Sequence, residues 1–524
     1  MKHTCHCSCG SSLNRRQFLT GASACLGGVS FIFSDRLSFA ETDKTGAMKV
    51  RLIFAAHGEV QDRADWPNIG FDFDPVMKKM KDALNANVEG IEFVSSMSTG
   101  AEQTQQILEE DAKRGDIAGY MVAQMNCWNQ VVHVALTSTK PVLYYDFLYA
   151  GSGGYLAYTA QALQDPGVTN FAHISSESFD DVVEAAKAFQ LIKAGKSTAE
   201  FVQAVTDYRI AHTKRIESFD CLEHNVSCLS PDELLKALRG CKILAIEKPW
   251  VDLEKQAMDD FGIEVVRLGF DQLNEEWEKA DRDEAAKIVA HWKETAEAIV
   301  DVSEEVLMDS ARMYIAEREL MKKQNAQGIT VDCLGGFYGG HIHAYPCLGF
   351  SELCNQGLIG GCECDIRSAL TMLILSKMTG GQTGFISDPV LDISTKTIIY
   401  AHCVASYRAF GPNGSTNPYT IMTHSEDRQG AAVRSTLPVG YMTTTVEICP
   451  ITKQILFHQA KAVGNSTNDR ACRTKLVAEV VGDFEKLYTQ WGNWGWHRVT
   501  VYGDLKKEIF ALADAIGYKI VEEA

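Results

Sequence analysis

From residue 49 onward, apolar runs of strand length alternate with amphipathic stretches of helix length, and this alternation narrows the fold more than any other feature. Residues 49–56, 91–94, 117–122 and 141–145 read as strands. Residues 74–85 place Val76, Met77, Met80 and Leu84 on one side of a helix, and 102–114 form a second helical stretch. Strand, helix and strand in succession imply a parallel sheet covered on both faces. His57-Gly58-Glu59 follows the first strand, at the edge where open α/β sheets bind ligands; a surface loop or a substrate contact both fit it. No Gly-x-Gly-x-x-Gly follows that strand, which leaves dinucleotide binding without support. Gly151-Ser152-Gly153-Gly154 lacks the lysine of a phosphate loop and reads as a flexible loop at the domain's rim.

A second α/β unit starts near residue 175. Helical periods cover 179–194 and 198–216, strands 242–246 and 263–267 flank a helix at 253–261, and the charged stretch 274–324 reads as further helices with a solvated face. The last third then changes character, with strands at 397–401, 419–422, 443–448 and 454–458 separated by turn residues such as Gly411-Pro412-Asn413-Gly414. Runs of this kind point to an antiparallel barrel or sandwich. A helix is expected over 473–490. The fold class is therefore α/β, with Rossmann-like domains at 48–174 and 175–327 followed by a carboxy-terminal domain of antiparallel β-barrel character at 328–524.

Chemistry concentrates in that last part. Glu363 and Asp365 follow the apolar pair Leu358-Ile359, a helix carrying Ala369, Leu370, Leu373, Ile374 and Met378 ends at Gly380-Gly381, and a short strand closes on Asp388. Carboxylates gathered at one sheet edge repel unless a cation or proton offsets them. His402 and His497 sit at the boundaries of β-branched runs and are the available nitrogen donors. Oxygen and imidazole together suit a divalent ion such as manganese.

The segments Glu363-Cys364-Asp365, Ala369-Leu370, Thr379-Gly380, Phe385-Ile386-Ser387-Asp388, Ala401-His402-Cys403 and the run from Trp496-His497 to Asp504 resemble the carboxy-terminal half of the L-fucose and L-arabinose isomerase superfamily. The likeness covers roughly 325–524 at the level of motifs. It implies Mn2+ or another divalent cation held by Glu363, Asp388, His402 and His497 in the arabinose-type pattern, whereas the fucose-type pattern promotes Asp365. A further upstream glutamate of the fucose-type site has no clear counterpart; Glu352 is the nearest acid. The resemblance also implies a monosaccharide substrate and a homo-oligomer, trimer or hexamer.

Formal charge of −18 over 524 residues argues against nucleic acid as a partner. Asn14-Arg15-Arg16-Gln17-Phe18-Leu19, a moderately apolar run over 21–33 and small residues up to Ala40 look like a twin-arginine (Tat) export signal in 1–40. The run is too short to span a bilayer, so no stable membrane insertion is expected after cleavage, and the mature chain is placed in the periplasm or outside the cell. Four of the sixteen cysteines fall in that signal, and no pair of Cys-x-x-Cys knuckles occurs, so the rest read as buried free thiols.

The reaction that fits is aldose–ketose interconversion through an ene-diol. By the resemblance, Glu363 and Asp388 are the acid/base pair and the histidines bind metal in their neutral form. Trp494 and Trp496, spaced by glycine, offer flat faces for a sugar's C–H groups, or equally a packed core. Arg367 and Lys461 fit solvent-exposed roles better than contacts to sugar hydroxyls, for which they are further candidates. An exported sugar-binding protein without turnover is the rival reading, and a reaction on a sugar acid or sulfated sugar a third.

Overall fold

A computed structural model describes residues 46–524; the expected export signal in 1–40 lies outside the described residues. Strands β1 (Met48–Ala55), β2 (Ile91–Ser98), β3 (Ile117–Gln124), β4 (Val142–Asp146) and β5 (Phe171–Ser175) form a parallel sheet in the order β2-β1-β3-β4-β5. From Val50 to Ala55, β1 is buried at every position, as a strand covered on both faces by helices must be. The helix Asp74–Asn87 turns Val76, Met77, Met80 and Leu84 inward, as their spacing predicts.

The second sheet joins β6 (Lys242–Ile246) and β7 (Glu264–Leu268) to two strands beyond residue 327. Between them in sequence, β8 (Ala298–Val300) leaves for a small sheet. The two later strands are β9 (Gly328–Val331) and β10 (Ile359–Gly361), and the order is β10-β9-β6-β7, all parallel. Both sheets thus present carboxyl-end loops, the places where α/β folds put ligands.

Next come β11 (Phe385–Asp392), β12 (Thr397–His402), β13 (Tyr419–Met422), β14 (Ala432–Ser435), β15 (Met442–Cys449), β16 (Gln454–Asn465), β17 (Thr474–Val481), β18 (Arg498–Tyr502) and β19 (Lys519–Glu522). Six of them close an antiparallel barrel in the order β15-β18-β11-β12-β17-β16, with β16 returning to β15; β19 is appended in parallel to β16. Side chains alternate about the barrel wall. Ile386, Val446, Ile448, Val499 and Val501 pack with the helix Ile366–Thr379, while Phe385, Leu391, Ile398 and Leu476 belong to the cluster that continues into the first domain.

Two local expectations are corrected. The helix expected over 473–490 is β17 followed by a short helix, Phe484–Gln490. Alternating burial along Thr474–Val481 and pairing with both β12 and β16 close the barrel there, so tertiary pairing overrides the helical reading. Gly151 to Gly154 is no loose loop either: it opens the helix Ser152–Gln164, and its glycines let that turn approach closely, since a Cβ on Gly151 would stand 1.9 Å from the Gln124 carbonyl oxygen.

Candidate metal centre

Three strand ends meet at one point. β10 runs into Glu363 and Cys364, which take the left-handed conformation at φ +62° and +47°. Two successive non-glycine residues held there store strain, the kind of outlier that accumulates at functional sites. They are fixed because the Cys364 N–H donates to the Val331 carbonyl at 2.8 Å and the Glu363 N–H to Cys333 Sγ at 3.4 Å. Asp388 lies on β11, paired with Ala401, the residue before His402, and His497 immediately precedes β18. Glu363, His402 and His497 each offer one ligand atom, all within 4.8 Å of one another, and both histidines are buried. Asp388 adjoins them: its Oδ1 is 3.1 Å from His497 Nε2 and its Oδ2 3.8 Å from His402 Nε2. Glu363 Oε2 stands 3.9 Å from the same His497 nitrogen.

The donor chemistry fits a cation. His497 Nδ1 donates to Asp365 Oδ2 at 2.9 Å, which leaves Nε2 as a lone pair facing two carboxylates. That Nε2 and both ring nitrogens of His402 are buried without a hydrogen-bond partner. Unpaired buried polar atoms are costly, and an ion held at about 2.0–2.2 Å by oxygen and nitrogen would give a partner to Glu363, to His497 Nε2 and to one ring nitrogen of His402. Electrostatics agree. Burial, with repulsion from Asp388, Glu426 and Asp365, pushes the Glu363 carboxyl up to about 8 although His497 opposes it. Burial pushes His402 down toward the neutral form that binds metal. Burial also disfavours charge on His497, but Glu363, Asp365 and Asp388 outweigh it and raise that ring, so an unmetallated site draws in a proton.

Asp365 stands one step behind. Its Oδ1 accepts from the Arg367 and Ser368 N–H groups at 3.0 and 3.1 Å, capping the helix Ile366–Thr379, and its Oδ2 accepts from Ser368 Oγ at 2.7 Å as well as from His497. Burial opposes its charge, yet the His497 hydrogen bond and charge hold the carboxyl below its ordinary range. Arg367 donates to Glu447 Oε1 at 2.9 Å and to the Trp494 carbonyl at 3.1 Å, tying the helix to the Trp494–His497 segment.

Trp496 is half-buried, 6.5 Å from Trp128 in an edge contact, with its ring over Gly153. Trp494 is half-buried. Lys461 lies on β16, opposite Met442 of β15 and Glu479 of β17. Glu352 accepts from Trp292 Nε1 and the Tyr407 hydroxyl, both at 2.6 Å, away from the centre. His57 donates from Nε2 to the Cys127 carbonyl at 2.9 Å. All twelve cysteines among the described residues are free thiols, and no described helix is long and apolar enough to cross a membrane.

No family model matches the chain. It is similar to curated proteins named sulfoquinovose isomerase. That of Clostridium sp. (strain MSTE9) is 22% identical over 336 residues, covering 61% of this chain and 73% of the relative. That of Alkalicoccus urumqiensis is 27% identical over 96 residues, 18% of this chain and 21% of the relative. That of Priestia aryabhattai is 24% identical over 145 residues, 27% and 31%. The likeness is to sugar isomerases.

Two residues at the centre escape the sequence. Burial pushes Glu426 up to about 7 although His424 and the Tyr338 hydroxyl oppose it, and its charge is felt by Glu363. Trp250 stacks on the His497 ring, with centroids 5.9 Å apart and planes at 28°. Glu426 sits in a loop beside Asp427, and Trp250 in the loop after β6, 247 positions from His497, so neither carries a local signal.

Proposed function

We propose that the chain is a divalent-metal-dependent aldose–ketose isomerase. The observation that carries the reading is the convergence of Glu363, His402 and His497, with orphaned imidazole nitrogens turned toward carboxylates. The similarity to sulfoquinovose isomerases supports it from a separate direction. Glu363, His402 and His497 would hold the ion, with Asp388 as a fourth neighbour and manganese the favoured metal. A bound ion supplies Lewis acidity for the oxygens on two adjacent sugar carbons. Asp388 and Glu363 are the acid/base pair that moves the proton between those carbons. Asp365 fixes the His497 tautomer through Nδ1, an outer-shell role. L-fucose, L-arabinose, sulfoquinovose and related aldoses are the candidate substrates.

The test is a screen of these aldoses with chelator-treated and manganese-restored protein, followed by proton NMR. Ketose formed only in the restored sample supports the reading. Sugar binding that survives chelation, with no ketose from any aldose, contradicts it.

A further inference from the structure

Tryptophan is ordinarily well buried, yet Trp250 is 51% exposed while its ring lies nearly parallel to a buried imidazole of the metal centre. Its position is not accidental slack. The loop from Glu247 to Leu253 joins β6 to the next helix at the carboxyl edge of the second sheet, and both of its ends are tied down. At one end, the Glu247 N–H donates to the Leu268 carbonyl at 2.8 Å, its Oε1 accepts from the Phe270 N–H at 3.0 Å, and its carbonyl accepts from Cys364 Sγ at 3.8 Å. That last contact sets the loop against the Glu363–Asp365 turn. At the other end, Arg267 donates to Asp252 Oδ1 at 2.6 Å and pairs with Glu254. Between these anchors the tip carries Trp250 over His497, with half its surface left to solvent.

A residue serving only as packing would gain by burying that surface. An aromatic ring with half its surface open beside a polar cluster, one face on the His497 imidazole, is instead suited to the C–H groups of a sugar, which take no hydrogen bond and pack on a flat ring. We infer that Trp250 is a substrate-binding residue, the wall that covers the apolar face of an aldose chain whose reacting carbons lie at the Glu363–His402–His497 centre. This rests on the isomerase reading and adds to it the source of affinity for the part of the sugar that does not react.

The experiment compares the full manganese-loaded chain with Trp250→Ala and Trp250→Phe, using L-fucose, L-arabinose and sulfoquinovose. Trp250→Ala raises KM for whichever sugar is turned over by about three- to tenfold, the worth of one aromatic stack. It leaves kcat, the thermal midpoint and the calorimetric Mn2+ affinity unchanged, and Trp250→Phe recovers most of the loss. An unchanged KM overturns the inference. So does a fall in Mn2+ affinity that accounts for the KM effect, because Trp250 would then act by holding His497. Turnover of none of the three sugars by the wild-type chain overturns the isomerase reading and this inference with it.

Discussion

Asp365 separates two ways of building the centre, because its two oxygens do different work. Oδ1 caps a helix and Oδ2 orients His497. Asp365→Ala removes both. Loss of the cap costs about 1 kcal/mol, and freeing the imidazole from its outer-shell partner lowers metal affinity about 10- to 100-fold. Asp365→Asn keeps an oxygen able to accept from Arg367 and Ser368, so stability falls by less than about 1 kcal/mol, but the charge that holds His497 is gone and affinity still drops about tenfold or more. Urea unfolding of chelator-stripped protein reads the first quantity and calorimetric Mn2+ titration the second. An Asn variant that binds manganese as tightly as the wild type refutes the reasoning. A loss well beyond a hundredfold would place Asp365 on the ion itself, as the fucose-type pattern has it.

Glu363→Gln and Asp388→Asn should each lower kcat by at least about a hundredfold, the worth of a general acid or base, and steady-state kinetics with full activity in either variant would remove that residue from the proton path. Glu523 is buried against Arg498, accepting at 2.8 Å, so Glu523→Gln strands a guanidinium and should cost about 3–5 kcal/mol in urea unfolding. Burial disfavours the Glu523 charge, but Arg498 and His458 override it and hold the carboxyl at about 2, below its ordinary 4.5. A depressed carboxyl stabilises the fold above its unfolded value, so this contribution, about 3 kcal/mol, is intact above pH 4.5 and is lost as pH falls toward 2; an acid titration of stability in which Glu523→Gln shows the same slope as wild type would contradict it. Gly151→Ala should destabilise by about 1–3 kcal/mol, since its Cβ would meet the Gln124 carbonyl at 1.9 Å, and an unchanged thermal midpoint would show that the turn gives way.

Much of the architecture is legible because its signals are local. Continuous apolar runs such as Leu52–Ala55 announce buried parallel strands, and the switch to turn-bounded strands after His402 announces the barrel. The convergence of Glu363, Asp388, His402 and His497 is legible only through resemblance, for nothing in their spacing brings residues more than a hundred positions apart to one point. The helical misreading of 473–490 has a plain cause: Lys475, Leu476, Ala478 and Glu479 are compatible with a helix in isolation, and only the open edges of β12 and β16 make them a strand. Trp250 is hidden for the same reason, its meaning lying wholly in a neighbour from another part of the chain.

The most direct test of the central claim is pulsed electron paramagnetic resonance of Mn2+ bound to the stripped chain. Two directly coupled imidazole nitrogens are predicted, reduced to one in His402→Ala and in His497→Ala. A spectrum with no nitrogen coupling, or one indifferent to both substitutions, would show that these side chains do not share an ion.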